Sequence, residues 1–478
     1  MVVRQSGDKV DLPVSTAPTM CALRSPHGGS GLKNSIFPLR WHPPPLDVGY
    51  VHGVDSPDRA EHAIVAALRA PLAMTSTAPR IGVCAVGGSG KTTACAGVAA
   101  CDWVRTRYSR RATWVQLDAS STLQTIAGAV VTLVHMFCGD AAAKQLAAMT
   151  EDKDFVAVAA SYVRSVSEAD AAEGLVIIDD VLYKKRELLR QLLALIPLAT
   201  PVLFSTRSEA VVASVPGATL VTIDALPLRD ARLVLATAVG KVVTPGGSPF
   251  SDAEEANWVR RVLDKTECHA LSLAIVGSMI ADRGGAWRVV VEGLERWWMH
   301  PRFGCSDSDS PRPSVRAALD VSFELLPDGM YRHAFAEIGV LPIRARLPVL
   351  WRLWRNLLGG AATAGELSAG RSTAVMRSTG VEELVLALVR AGLLRRDVDK
   401  NSGELVGVIV HPVIGQYALS LPGDAVHATH QRLVDDYMGG EVAGGLDAHA
   451  WRLPYGKVLL DIQLFWPRDP GKSRIRWP

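Results

Sequence analysis

The chain has 478 residues, 48% hydrophobic and 21% charged, enough apolar material for about three domains of ordinary size. Its 51 basic and 48 acidic residues leave a formal net charge of +3, too balanced for the broad electrostatic footprint of a nucleic-acid or anionic-membrane binder. Its seven cysteines form an odd set without a C-x-x-C pair or metal-ligand spacing to histidine, which predicts reduced thiols inside a cell rather than a disulfide framework or structural zinc.

Arg4, Asp8 and Lys9 interrupt the start of the chain, so it lacks the apolar core of a secretory leader. The longest apolar stretch, "IAGAVVTLVHMFC" at 126–138, is too short to span a bilayer, and a cytoplasmic location without membrane partners is expected. Residues 1–45 carry "STAP", "SPHGGSG" and "HPPP" without helical or alternating period, which predicts a disordered leader. From there to residue 226, short β-branched runs at 81–86, 113–118, 175–180, 201–207 and 220–226 are separated by helical stretches. Each run is continuously apolar, as strands of a parallel sheet covered on both faces should be, which predicts an α/β domain over 46–226.

Beyond residue 226 helical patterns dominate at 228–240, 251–268 and 271–285, punctuated by loops at 242–250 and 305–313. This predicts a helical domain over 227–310. Farther on, "SVRAALDVSFELLP" and "VEELVLALVRAGLL" read as amphipathic helices, and "RRDVDKNSGELVGVIVHP" reads as two strands around an "NSG" turn. Helices followed by a hairpin predict a winged-helix domain over 311–425, leaving 426–478 as a tail or linker.

The stretch "CAVGGSGKTTA" at 84–94 lies between a buried-strand run and a helix-forming segment. Gly87, Gly88, Ser89 and Gly90 precede Lys91, Thr92 and Thr93, the composition of a loop that wraps phosphate. Glycines let backbone N–H groups turn inward, the helix N-terminus adds partial positive charge, the lysine neutralises β/γ oxygens, and a hydroxyl reaches Mg²⁺. The usual G-x-x-x-x-G-K-[ST] pattern begins with glycine, where this chain has Ala85. Alanine suits that position only if its φ is negative. The stretch lacks the G-x-G-x-x-G order of a dinucleotide site.

"LVIIDDV" at 175–181 ends an apolar strand run in paired carboxylates. Asp179 and Asp180 would emerge beside the phosphate loop, one holding Mg²⁺ and one orienting the attacking water; an acidic strand end facing solvent is the other reading. "VLFSTR" at 202–207 ends at Arg207, a cation placed to read a γ-phosphate or a solvated residue at a strand exit.

In order, "GVCAVGGSGKTTAC", "TWVQLD", "LVIIDDV", "VLFSTR", "CHALSLAIVG", "LDVSFELLP" and "VIVHPVIGQYA" resemble the NB-ARC class of signal-transducing P-loop ATPases. This class includes plant disease-resistance proteins and the animal apoptosome-forming caspase activator. The resemblance covers about residues 48 to 425 and implies a P-loop NTPase parallel sheet followed by helical and winged-helix domains that close over ADP. It implies phosphate and Mg²⁺ binding by Lys91 and Thr92, a metal-side role for Asp179, a hydrolytic role for Asp180 and γ-phosphate sensing by Arg207. Ser272 replaces the proline that abuts adenine in the family. His411 would touch the ADP β-phosphate, although Pro412 replaces the family's aspartate beside it; a buried histidine bonded to backbone is its other possible role.

The resemblance therefore implies a switch that binds ADP or ATP with Mg²⁺, hydrolyses ATP slowly if at all, self-associates on ATP exchange and engages an unknown effector protein in intracellular, defence-type signalling. Two other functions stay open. One is a nucleotide-sensing winged-helix transcription regulator using Arg346, Arg352 and Arg355, although nucleic acid is not an expected partner. The other is a scaffold that has lost nucleotide binding through Ala85, Ser272 and Pro412.

Overall fold

A computed structural model describes residues 59–69, 78–108, 112–117, 123–149, 154–242, 249–250, 252–298, 312–327, 329–341, 344–354, 357–358, 371–399 and 402–421, with 123–126 and 371–379 as backbone only. The expected leader at 1–45, the tail at 426–478, the loop segments 243–248 and 305–311, and Arg355 lie outside the described residues.

Five strands form a parallel sheet: β1 (Arg80–Cys84), β2 (Ala112–Gln116), β3 (Leu175–Val181), β4 (Val202–Thr206) and β5 (Ala218–Thr222), in the order β2-β3-β4-β1-β5. Side chains alternate between faces along a strand, and each face has its own apolar core. Val176, Ile178, Val202 and Phe204 pack with Val130, Leu133, Leu189 and Val211 on one side. Leu175, Ile177, Leu203, Ile81 and Val83 pack with Ile64, Val65, Cys95 and Val98 on the other. Central strands covered on both faces must be apolar at every position, which accounts for the continuous runs.

The edge strands depart from that expectation. β2 alternates buried and less buried positions, and β5 has no fully buried residue. Each has only one strand neighbour. β5 also begins at Ala218, ahead of the expected run at 220–226, because the pairing of Arg80 with Ala218 and Cys84 with Thr222 sets its limits.

Beyond β5 the chain is largely helical. The helices Leu228–Val239, Ala253–Lys265, Ala270–Asp282, Trp287–Trp298 and Pro313–Glu324 lead into β6 (Arg344–Arg346), the helix Leu347–Trp354, β7 (Arg395–Val398), β8 (Leu405–Ile409) and the helix Pro412–Leu419. β7 and β8 are the expected antiparallel hairpin. β6, too short to leave a periodic signal, pairs antiparallel with the other side of β8 and completes a three-stranded sheet. Arg346 therefore lies on a strand rather than on the helix with Arg352. One continuous apolar core runs from Ala231 to Ala418 through both the helices and this sheet. Trp354 is fully buried in it, with Nε1 donating to the Ala334 carbonyl at 3.1 Å. Among the described residues no helix is long and apolar enough to cross a membrane.

Candidate functional site

The loop 85–90 connects β1 to the helix Lys91–Ala100 at the carboxyl end of the sheet. Gly88 and Gly90 take φ of 83° and 92°, values that favour glycine, and Gly90 forms the N-cap of the helix. Ala85 meets the condition set by its sequence. Among the described residues only Asp180, Glu267 and Cys268 combine a side chain with positive φ, and the Ala85 N–H continues the strand pairing to the Thr206 carbonyl at 3.2 Å.

Lys91 begins the helix, 6% exposed, with Nζ donating to the carbonyls of Ala85 at 2.8 Å and Val86 at 2.9 Å. Burial, followed by the nearby Arg207 cation, lowers its pKa to about 8, with Asp180 and Asp179 pulling the other way. The next residue, Thr92, donates from Oγ1 to both oxygens of Asp179, at 3.1 and 2.9 Å. Thr93 follows in the first helical turn.

β3 brings the two carboxylates in by a device the sequence does not show. Ile178 pairs with Phe204 and Val181 with Thr206, so the β3 segment holds one residue more than β4. This bulge interrupts the strict side-to-side alternation of the strand. Asp180 sits in it with φ 57°, a conformation aspartate accepts better than most residues. Ser205 of β4 holds the bulge, donating to Asp179 Oδ1 at 2.5 Å and accepting the Asp180 N–H at 2.9 Å. Asp179 thus faces Thr92, while Asp180 forms an ion pair with Arg207 Nε at 3.5 Å. Burial raises the Asp179 pKa, opposed by the hydrogen bond from Ser205. A buried carboxylate beside a threonine hydroxyl is a hard oxygen donor set of the kind Mg²⁺ takes alongside phosphate and water, so Thr92 and Asp179 fit that ion.

The 270–282 and 412–419 helices cover the loop. Leu271 N–H donates to the Gly88 carbonyl at 3.2 Å, and a Cβ added at Gly88 would lie 2.8 Å from Leu271 and 3.0 Å from His269 Cε1. A Cβ at Gly87 would lie 2.6 Å from Val413 Cγ2. Gln416 approaches Arg207 Nη1 at 3.4 Å. His411 caps the 412–419 helix, its Nδ1 accepting the Val413 N–H at 3.2 Å. Burial and the Arg207 and Lys91 cations lower its pKa to about 3.

The architecture is that of a P-loop NTPase. The glycine loop leads into a helix, β4 lies between the loop strand and the carboxylate strand, and a lysine, a threonine and two aspartates meet at the sheet end. No protein-family model matches the chain, and no curated protein matches it. Among solved structures it is similar to a Signal Transduction ATPase with Numerous Domains (STAND) protein with a tetratricopeptide repeat sensor from Pyrococcus horikoshii, at 12% identity and TM-score 0.46, over 85% of this chain and 48% of that one. It thus spans about half the length of that protein. It is also similar to the Aeropyrum pernix ORC1 protein solved in complex with DNA, at 13% identity and TM-score 0.31, over 78% of this chain and 98% of that one. The Drosophila ORC bound to DNA aligns at 12% identity and TM-score 0.32, over 80% of this chain and 90% of that one.

The sheet end gathers Lys91, Thr92, Asp179, Asp180 and Arg207, and the cover brings His411 near Arg207 and Lys91. Ser272 is fully buried, and its Oγ lies 3.4 Å from His269 Nδ1. Sequence reasoning missed His269, Leu271, Ser205, Val413 and Gln416. Ser205 lay inside the quoted "VLFSTR" run, but only the adjacency of β3 and β4 shows what it bonds. His269 opens "HALSLA", a segment in which the family resemblance marks only Ser272.

Proposed function

We propose that this chain is a nucleotide-dependent molecular switch of the NB-ARC type. ADP with Mg²⁺ would hold the α/β, helical and winged-helix domains together, and ATP exchange would release them to self-associate and engage an effector in cytoplasmic, defence-type signalling. The observation that carries this reading is the two-sided cover of the phosphate loop. Ser89 meets His269 across 180 residues of sequence, and Arg207 meets Gln416 across 209. A ligand in that loop touches sheet and cover together, and it shifts their equilibrium by its differential affinity for the two arrangements.

Within that reading Lys91 and the loop N–H groups hold the phosphates, Thr92 and Asp179 hold Mg²⁺, Asp180 orients the attacking water and Arg207 reads the γ-phosphate. Mg²⁺ would supply charge neutralisation at the phosphate oxygens. The Asp180–Arg207 ion pair supports slow hydrolysis, since both groups must leave each other to act.

The test is to purify the full chain, denature it and quantify the released nucleotide, beside Lys91→Ala. Near-stoichiometric ADP, absent from the variant, is the expected result. Folded wild-type protein that releases none and takes up none on incubation with ADP and Mg²⁺ overturns the proposal and leaves a scaffold.

A further inference from the structure

His269 is 2% exposed and caps the 270–282 helix, with Nδ1 facing the Ser272 N–H at 3.5 Å and Ser272 Oγ at 3.4 Å. An imidazole nitrogen that accepts a hydrogen bond carries no proton, so the neutral ring bears its hydrogen on Nε2. That edge meets the phosphate loop. Nε2 lies 3.4 Å from Ser89 Oγ, and the ring lies against Gly88, where an added Cβ would sit 3.0 Å from Cε1. This edge has two partners on the loop: the Gly87 backbone and Ser89 Oγ, which at 3.4 Å engages the donor only weakly, since strong N–H···O bonds fall near 2.9 Å.

The surroundings keep the ring neutral. Burial, Arg312 and Lys91 lower its pKa to about 4, while a hydrogen bond to the Gly87 backbone pulls the other way. These neighbouring cations disfavour a further positive charge and favour an anion. His411 is built alike on the second covering helix, with its Nδ1 also used as a helix cap. Each covering helix therefore carries an imidazole at its N-terminus whose Nδ1 faces its own helix.

We infer that His269 is a ligand-contacting residue whose Nε2–H turns from the Gly87 backbone to donate to the phosphate chain held by the 87–90 loop. The 270–282 helix would then read the phosphates directly. The inference rests on the nucleotide reading above and adds a residue that neither the motif nor the family resemblance assigns. Because Ser272 N–H and Oγ orient the ring, Ser272 acts through His269 as a positioning residue.

The experiment compares the full-length wild type, His269→Asn and Lys91→Ala by titration with ADP, and by competition of adenosine against a fluorescent ADP analogue. Asparagine is a favoured helix cap but does not carry a donor as far as Nε2, so the helix keeps its cap while the phosphate contact goes. The expected result is ADP affinity lower by roughly ten- to a hundredfold in His269→Asn, the size of a hydrogen bond to a charged group, with adenosine affinity unchanged. An unchanged ADP affinity in a wild type that binds in a Lys91-dependent way overturns this inference alone. Equal losses for ADP and adenosine also overturn it, since they would mark a cover that acts only on the base. A wild type that binds no ADP removes both this inference and the switch reading.

Discussion

At the end of strands β1, β3 and β4, Lys91 is bonded to the Ala85 and Val86 carbonyls, Asp179 to Ser205 and Thr92, and Asp180 to Arg207. The covering helices bring Leu271, Val413 and two imidazoles held neutral by burial and nearby cations. The charged groups need a rigid support, because buried charge is tolerated only beside fixed partners. Among the described residues the cover carries no buried charge to the loop. Its polar contacts there are few: Leu271 to Gly88 at 3.2 Å, His269 to Ser89 at 3.4 Å and to the Gly87 backbone, and Gln416 to Arg207 at 3.4 Å. Such a cover can leave without stranding a partner, whereas the sheet end cannot come apart without exposing Asp179. The cores differ in the same sense: the sheet separates two apolar clusters, while the covering region is built around one.

The largest test of this division is a pair of core truncations. Phe204→Ala in the sheet and Trp354→Ala in the cover should each cost about 3–5 kcal/mol, and calorimetry should show each variant lowering a different unfolding transition. A single transition shifted by both would join the two regions into one cooperative unit. Next in size is Ser205→Ala, which removes a hydroxyl serving both Asp179 and the Asp180 N–H and should cost about 1–3 kcal/mol. It should also weaken Mg²⁺-dependent nucleotide binding more than Mg²⁺-independent binding, measured by titration with and without chelator.

Gly87→Val sharpens the comparison from the other side, because its side chain would enter the space of Val413. Overpacking of this kind costs about 1–3 kcal/mol and here falls mainly on the covered arrangement, since Val413 is the nearest neighbour at 2.6 Å and Arg207 lies at 3.4 Å. Scattering should report a larger radius of gyration, and Val413→Ala in the same chain should reverse it. Failure of that reversal would show that Val413 does not hold the cover.

The pH dependence is more graded. The folded pKa values of His269 and His411, about 4 and about 3, lie below the ordinary 6.5. The unfolded chain therefore binds more protons in that window, and stability present above pH 6.5 is lost as pH falls toward 4 and 3. The fall in denaturant midpoint from pH 7 to pH 5 should be smaller in His269→Asn than in the wild type. The smallest expected effect is from Gln416→Ala, within about 0.5 kcal/mol by denaturant titration, given its long contact to Arg207.

What local sequence could carry, it carried. Strands buried on both faces must be apolar at every position, so the central runs stand out. A phosphate loop needs its glycines, lysine and threonine side by side, so "GGSGKTT" identifies itself within one turn of chain. Edge strands β2 and β5 and the three-residue β6 were less legible, because one-sided or short pairing leaves little periodic signal. Only the tertiary structure decided that β4 lies between β1 and β3, that a bulge aims Asp179 and Asp180 at different partners, and that Ser205 holds them both. It also decided that His269 meets the phosphate loop, at Ser89 and Gly88. Each of these depends on pairing between segments far apart in the chain, and the positive φ of Asp180 arises from register against a neighbouring strand, which no local pattern of residues records.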